Sequence, residues 1–297
     1  MKPLTSQVGG KTRLAKWIVS HFPSQDCYRM YVEPFGGSAA ILLYEERPSI
    51  RELYNDINGD LVNMLQIARL QPEEMKAQLD LVPYSRGQYR EWRRDYFSGK
   101  HQSLDPLERA VRWFTIQRQA FSGWISPRNA GFQVPSRPDQ AWHPCAFRSA
   151  IDRIPEIAKR LSEVVIENLP FEDVLCRSDL PESCVYLDPP YSPRRLKHVE
   201  SGADKGGNEY YCVQWREEDD WKLAAAVCAL RGRVIISGYA GDHFTQLFPP
   251  PLWRYVYKTV NVTCTNIHHH RDRAATEALA MNYDNGPGYP RRLGGLE

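Results

Sequence analysis

Asp188-Pro189-Pro190-Tyr191 is the part of this 297-residue chain whose residue types point most directly to chemistry. Two consecutive prolines fix φ, remove two backbone N–H donors and leave carbonyl acceptors beside the Asp188 carboxylate. An exocyclic amino group has two hydrogens to donate, and Asp188 with the Pro189 carbonyl can accept both. Held that way, the nitrogen is drawn from its planar, conjugated state toward a pyramidal one with a usable lone pair. Tyr191 offers a face on which a base can stack. The implied chemistry is direct in-line group transfer to an amine, catalysed by positioning and electrostatic complementarity without a covalent enzyme intermediate. A rigid turn is the structural alternative for the same four residues.

Three further groups call for a ligand beside that tetrapeptide. Glu33-Pro34-Phe35-Gly36-Gly37-Ser38 follows the apolar run Met30–Val32 and precedes a segment of helical pattern, Ala39–Glu46. Strand, glycine turn and helix in that order open a nucleotide-binding βα unit. Asp56 closes a second predicted strand, Ile50–Tyr54, where a carboxylate can accept hydrogen bonds from ribose hydroxyls. Gly9-Gly10-Lys11 opens a stretch, Thr12–Phe22, whose Leu14, Ile18 and Phe22 recur at helical spacing. Ligands of open parallel sheets bind at the carboxyl ends of the strands, and these residues lie at such ends. The pattern predicts a nucleoside-bearing cofactor.

The elements that must hold these residues follow from the hydrophobic rhythm. After Asp56, Leu61, Leu65 and Ala68 continue with helical spacing, so the pattern is βαβα and the sheet parallel. From Pro72 the rhythm becomes helical only: Glu73–Leu81, Gln88–Phe97 and Asp105–Arg118, the last with Asp105 as N-cap and Pro106 in its first turn. Residues 119–147 read as an irregular loop with a hairpin, studded with aromatics that argue against disorder. A helix near Ile151–Leu161 follows. Strands at Val164–Glu167, Ser183–Leu187, Gly232–Ser237, Tyr255–Cys264 and Thr276–Tyr283, and a helix at Glu217–Leu230, restore the βα rhythm. The expected organisation is a discontinuous domain of residues 1–72 and 155–285, an insertion of residues 73–154 and a loose tail of residues 286–297.

Composition narrows the classes. With 42% hydrophobic and 25% charged residues the chain has a globular make-up, and no run approaches the roughly 20 apolar residues of a membrane span. The amino-terminal residues lack a secretory pattern, which favours the cytoplasm. Seven cysteines without close pairs argue against a disulfide framework or a zinc site and are expected to be reduced core thiols. Net charge is only +2, yet Tyr84–Arg153 holds twelve basic residues, eleven of them arginine, against six acidic ones. Arginine's planar fork suits phosphates and base edges, so this segment is a candidate polyanion contact; a solvated helical surface is the alternative. Three adjacent side chains in one loop point different ways, so His268–His270 is read as a basic loop rather than a metal site.

Taken in order, these motifs resemble the DNA adenine methylase family, the Dam-like α-group of N6-adenine-specific DNA methyltransferases. Gly9-Gly10-Lys11 is similar to the amino-terminal cofactor motif, Val32–Ser38 to the glycine motif, Tyr54–Asn58 to the ribose motif and Tyr186–Tyr191 to the catalytic motif, with the insertion in the target-recognition position. The resemblance implies an α/β fold, a Rossmann-like S-adenosylmethionine-dependent methyltransferase sheet with a mainly helical target-recognition insertion. It implies S-adenosylmethionine as cofactor, S-adenosylhomocysteine as product, and no metal. Asp188, Pro189, Pro190 and Tyr191 would be catalytic. Lys11, Glu33, Phe35, Gly36, Ser38, Asp56, Asp173 and Asp188 would line the cofactor site. Gln7 stands where the family usually has an aromatic residue, four positions before the motif lysine, so stacking there is lost or supplied by another side chain. Arg118, Ser122, Arg128, Asn129 and Arg137 would meet double-stranded DNA.

The resemblance further implies a prokaryotic or phage-encoded protein, a monomer or weak dimer, with pairing to a restriction endonuclease as one arrangement. Two other readings stay open: methylation of another amino group, in RNA adenine or in cytosine, and a catalytically silent DNA-binding protein.

Overall fold

The computed structural model describes residues 1–5, 9–47, 50–123, 125, 131–134, 142–190, 215–261 and 274–284. Its strands are β1 (Met30–Glu33), β2 (Arg51–Asn55), β3 (Val164–Glu167), β4 (Ser183–Leu187), β5 (Arg233–Tyr239), β6 (Arg254–Asn261) and β7 (Ala274–Met281). Its helices are α1 (Ala15–Val19), α2 (Gly59–Leu70), α3 (Pro72–Asp80), α4 (Arg86–Phe97), α5 (Pro106–Gln119), α6 (His143–Ile151), α7 (Ile154–Leu161), α8 (Phe171–Arg177), α9 (Glu217–Ala229) and α10 (Asp242–Leu247). By packing, the chain divides into one unit of Met1–Ala15, Gly37–Glu46 and Asn58–Asn168, and another of Lys16–Gly36, Arg47–Ile57 and Leu169–Glu297.

The first unit is mainly helical. Asn58 caps α2 by accepting from the N–H groups of Asp60 and Leu61, and Asp105 caps α5 through those of Leu107 and Glu108, with Pro106 next in line. These are the polar caps that open helices in aqueous surroundings. Ala110, Phe114 and Ile116 of α5 are buried. The loop after α5 turns back through an antiparallel bridge, Ala120 to Phe132. The Phe132 ring lies 5.1 Å from Tyr84 and 5.6 Å from Tyr89, and Tyr84 packs 5.9 Å from Phe147. This aromatic cluster orders the foot of the expected hairpin.

Among its described residues the second unit holds six paired strands, in the order β2-β1-β4-β5-β7-β6. The pairs β2-β1, β1-β4 and β4-β5 are parallel, while β7 runs antiparallel to both β5 and β6. Val32, Val185, Leu187, Val234 and Ile236 pack with Leu223 and Val227 of α9 and with Phe244 and Leu247 of α10. Parallel strands covered by helices read as continuous apolar runs for this reason. Strand order reverses between β1 and β4, which places the switch point of this Rossmann-like α/β sheet there.

Two expectations are corrected. Ala39–Glu46 is not a regular helix: residues 37–44 form successive turns, with Gly37 at φ 51° and Ala39 at φ 58°. Two left-handed residues so close together break the repeat that continuous helical bonding needs. The cysteines are not uniformly core thiols. Among the described residues Cys184 on β4 is buried, whereas Cys145, Cys176 and Cys228 are exposed on α6, α8 and α9. Cys212 and Cys264, with His268–His270, lie outside the described residues, and no described helix is long and apolar enough to cross a membrane.

Candidate active site at the carboxyl edge of the sheet

Strand order sets the carboxyl ends of β2, β1 and β4 side by side. Glu33 pairs with Tyr54 across β1 and β2, and Val32 with Val185 across β1 and β4. Phe35 follows β1 by two residues, and Asp56 and Asp188 each follow their strand, β2 and β4, by one, so all three leave the carboxyl ends of neighbouring strands. Asp188 and Phe35 therefore bracket the switch point, and Asp56 stands one strand further out.

Packing fixes the turn that carries Phe35. The buried Asn55 side chain donates to the Pro34 carbonyl at 2.9 Å and the Leu169 carbonyl at 3.0 Å, and accepts from the Leu169 N–H at 2.8 Å. One amide thus ties the ends of β1 and β2 to the chain entering α8. The Gly36 N–H donates to the Asn55 carbonyl at 2.7 Å. A Cβ on Gly36 would lie 2.1 Å from Cε2 of the fully buried Tyr54, so no larger residue fits without displacing that ring. Phe35 stands against Phe171 at 5.4 Å and Trp215 at 5.6 Å, the latter edge-on, while Phe171 and Trp215 are 5.8 Å apart. Beside the acidic residues is thus an aromatic wall. Trp215 is anchored by its indole N–H on Asp220 at 2.9 Å, and His243 meets the same carboxylate at 2.9 Å.

The acidic groups differ in setting. Glu33 is buried, and its carboxylate accepts the Tyr31 hydroxyl, two residues back on the same strand face. Burial, followed by the Glu33 charge, pushes the Tyr31 phenol well above its ordinary range. The Arg47 guanidinium lies 3.9 Å from the Tyr31 ring centre and pairs with Glu52 at 3.3 Å. Asp56 and Asp188 are half-buried, and Asp173 is exposed in the first turn of α8, where negative charge complements the helix dipole. Pro189 is buried and Pro190 half-buried. Asp188 Oδ1 meets the buried Ser237 hydroxyl of β5 at 2.8 Å.

The remaining candidates lie in the first unit or outside the described residues. Lys11 is buried in a short 3-10 turn, its Nζ donating to the Gly9 carbonyl at 3.2 Å, and Ser38 is buried in the turns that follow Gly37. Arg118 is half-buried and donates to the Ala146 carbonyl at 2.8 Å. Burial, with Arg153 nearby, pushes its guanidinium down to about 10, so it stays charged at neutral pH. Ser122 falls in the 3-10 turn Phe121–Gly123. Gln7, Arg128, Asn129, Arg137 and Tyr191 lie outside the described residues.

Sequence reasoning missed four features: the Asn55 staple, the Phe35–Phe171–Trp215 wall, Ser237, and a stripe of exposed arginines on α4. Arg86, Arg90 and Arg94 recur every four residues there, with Arg86 at the helix start, where the dipole disfavours a cation. That spacing was legible in the sequence. Much of the other positive charge is engaged within its own unit: Arg109 with Asp60, Arg112 with Glu108 and Asp95, and Arg148 with Asp80.

An open Rossmann-like sheet, with Asp56, Phe35 and Asp188 following three neighbouring strands and aromatic rings against Phe35, defines the α/β class of this chain. The chain belongs to the D12 class N6 adenine-specific DNA methyltransferase family, whose model matches residues 8–209. It is similar to the DNA adenine methylase of Escherichia coli K12, 29% identical over 191 residues that cover 62% of this chain and 63% of that protein. It is also similar to the type II methyltransferase M.MjaIII of Methanocaldococcus jannaschii, 26% identical over 95% of this chain and 99% of the relative. A DNA adenine methylase of Vibrio cholerae is 27% identical over 81% and 82% of the two chains. The match to the Escherichia coli protein spans less than two thirds of that relative's length.

Proposed function

We propose that the chain transfers the methyl group of S-adenosylmethionine directly to N6 of an adenine turned out of double-stranded DNA. The observation that carries this reading is that Asp56, Phe35 and Asp188 follow the carboxyl ends of three neighbouring strands, β2, β1 and β4. A nucleoside-bearing cofactor fits this donor set: Asp56 offers a carboxylate to ribose hydroxyls, Phe35 and Phe171 an aromatic surface to a purine, and Asp173 an exposed acceptor. When bound, S-adenosylmethionine supplies a methyl group on a sulfonium, activated for in-line displacement.

The chain's part is to present the amine. Asp188 and the Pro189 carbonyl accept the two N6 hydrogens, which directs the nitrogen lone pair at the methyl carbon. The fixed backbone of Pro189 and Pro190 holds both acceptors without reorganisation during reaction. Tyr191 is assigned the stacking face for the extruded base.

The insertion of residues 73–154 is assigned to target recognition. The α4 stripe of Arg86, Arg90 and Arg94 supports that role, with Arg118, Ser122, Arg128, Asn129 and Arg137 as further DNA contacts. Pairing with a restriction endonuclease draws support from the relative described as a type II methyltransferase.

Asp56→Ala tests the cofactor half of the reading. Losing an acceptor that bonds through a charge is expected to raise the Kd for S-adenosylmethionine about 10- to 100-fold in equilibrium titration. An unchanged Kd would remove Asp56 from the site.

A further inference from the structure

We infer that Ser237 is a positioning residue for methyl transfer: its hydroxyl fixes the Asp188 carboxylate in the orientation that receives the amine. This inference rests on the function proposed above. Across β4 and β5, Leu187 pairs with Ile236, so Asp188 and Ser237 are the next residues abreast. Ser237 lies at the outer end of an otherwise apolar stretch, Val234–Ile236, and is 1% exposed. Its Oγ is 2.8 Å from Asp188 Oδ1 and 3.2 Å from the Leu187 carbonyl. A hydroxyl has one hydrogen to give, and the shorter contact, to the Asp188 oxygen, is the stronger of the two.

The hydroxyl of Tyr186 also points at Ser237, 3.3 Å from Oγ and itself buried. Tyr186 and Asp188 are two apart in sequence and share a face, and the Ser237 hydroxyl on the next strand bonds both. The result is a chain: Tyr186 donates to Ser237, and Ser237 donates to Asp188. In a dry environment each such bond polarises the next. A carboxylate has about four acceptor positions, so one held by Ser237 leaves the group able to accept an amino hydrogen. What the serine adds is direction, since a carboxylate free to rotate about χ2 presents its oxygens over a broad range.

The test is single-turnover methylation of unmodified DNA at saturating S-adenosylmethionine, with Asp188→Ala run in parallel. Ser237→Ala is expected to slow transfer about 10- to 100-fold, the kinetic equivalent of one hydrogen bond to a charged group. The Kd values for S-adenosylmethionine and DNA should stay within about twofold, a split that a merely structural serine would not produce. Tyr186→Phe, which leaves Ser237 in place, is expected to slow transfer about 2- to 5-fold, and it decides the matter if Ser237→Ala does not fold. Wild-type rates in the folded serine variant, or losses matched by equal losses of cofactor affinity, overturn the inference. If Asp188→Ala also transfers at the wild-type rate, the active-site assignment itself fails; if Asp188→Ala is inactive while Ser237→Ala is not, only the serine is wrong.

Discussion

Asp188→Ala should lower the rate of methyl transfer at least about 10²- to 10³-fold, the range seen when a preorganised polar contact to a reacting group is removed. The fold should survive. Asp188 is half-buried and lies beyond the end of β4, so its loss opens no core cavity. The Ser237 hydroxyl that bonds it has a second acceptor, the Leu187 carbonyl at 3.2 Å. A change of no more than about 1 kcal/mol is therefore expected in urea unfolding, typical of removing one partly solvated hydrogen bond. Rapid-quench measurement of transfer, set beside the unfolding curve, checks both halves. A variant that is folded and still transfers methyl at the wild-type rate would show that the amine is held elsewhere.

Gly36→Ala should be the most disruptive single methyl at the carboxyl edge of the sheet unit. The added Cβ would sit 2.1, 2.4 and 2.7 Å from Cε2, Cδ2 and Cζ of Tyr54. Tyr54 is fully buried and cannot swing into solvent, and the Gly36 N–H is pinned to Asn55 at 2.7 Å. Either the ring or the turn must move. Overpacking of this kind costs about 2 to 3 kcal/mol. Because the turn carries Phe35, affinity for S-adenosylmethionine should fall as well. Gly131→Ala, where a Cβ meets nothing within 4 Å, is the control and should shift stability by less than about 0.5 kcal/mol. The urea midpoint reads the first effect and cofactor titration the second; a Gly36 variant with the wild-type midpoint contradicts the close approach.

Much of the sheet was legible because buried parallel strands are short apolar runs closed by polar residues. Ser183–Leu187 is such a run and forms β4 within the predicted bounds. The caps were equally readable: Asp105 followed by Pro106 specifies a helix start through local bonds alone. Ala39–Glu46 was not, since its apolar pattern is that of a helix while left-handed backbone at Gly37 and Ala39 interrupts one. α8 and α10, seven and six residues long, are too short to show a helical period.

In the site, Asp56, Phe35 and Asp188 were marked by their positions at strand ends. That their strands are neighbours depends on strand order, a pairing between distant segments. Ser237 and Asn55 escaped notice for the same reason. Each is a small polar residue whose role lies in what it bonds across strands, and a serine ending an apolar strand carries no local sign of its partner. The exposed cysteines show the converse, that residue type alone says little about which face of a helix a side chain occupies.

The most direct measurement of the central proposal is the identity of the methylated base. Purified chain is incubated with unmethylated double-stranded DNA and S-adenosylmethionine carrying a labelled methyl group, and the digested nucleosides are separated by mass. The proposal predicts label in N6-methyladenine, formed by the wild-type chain and absent with Asp188→Ala. Label in N4-methylcytosine, label taken up from RNA in place of DNA, or equal label with the Asp188 variant would contradict it.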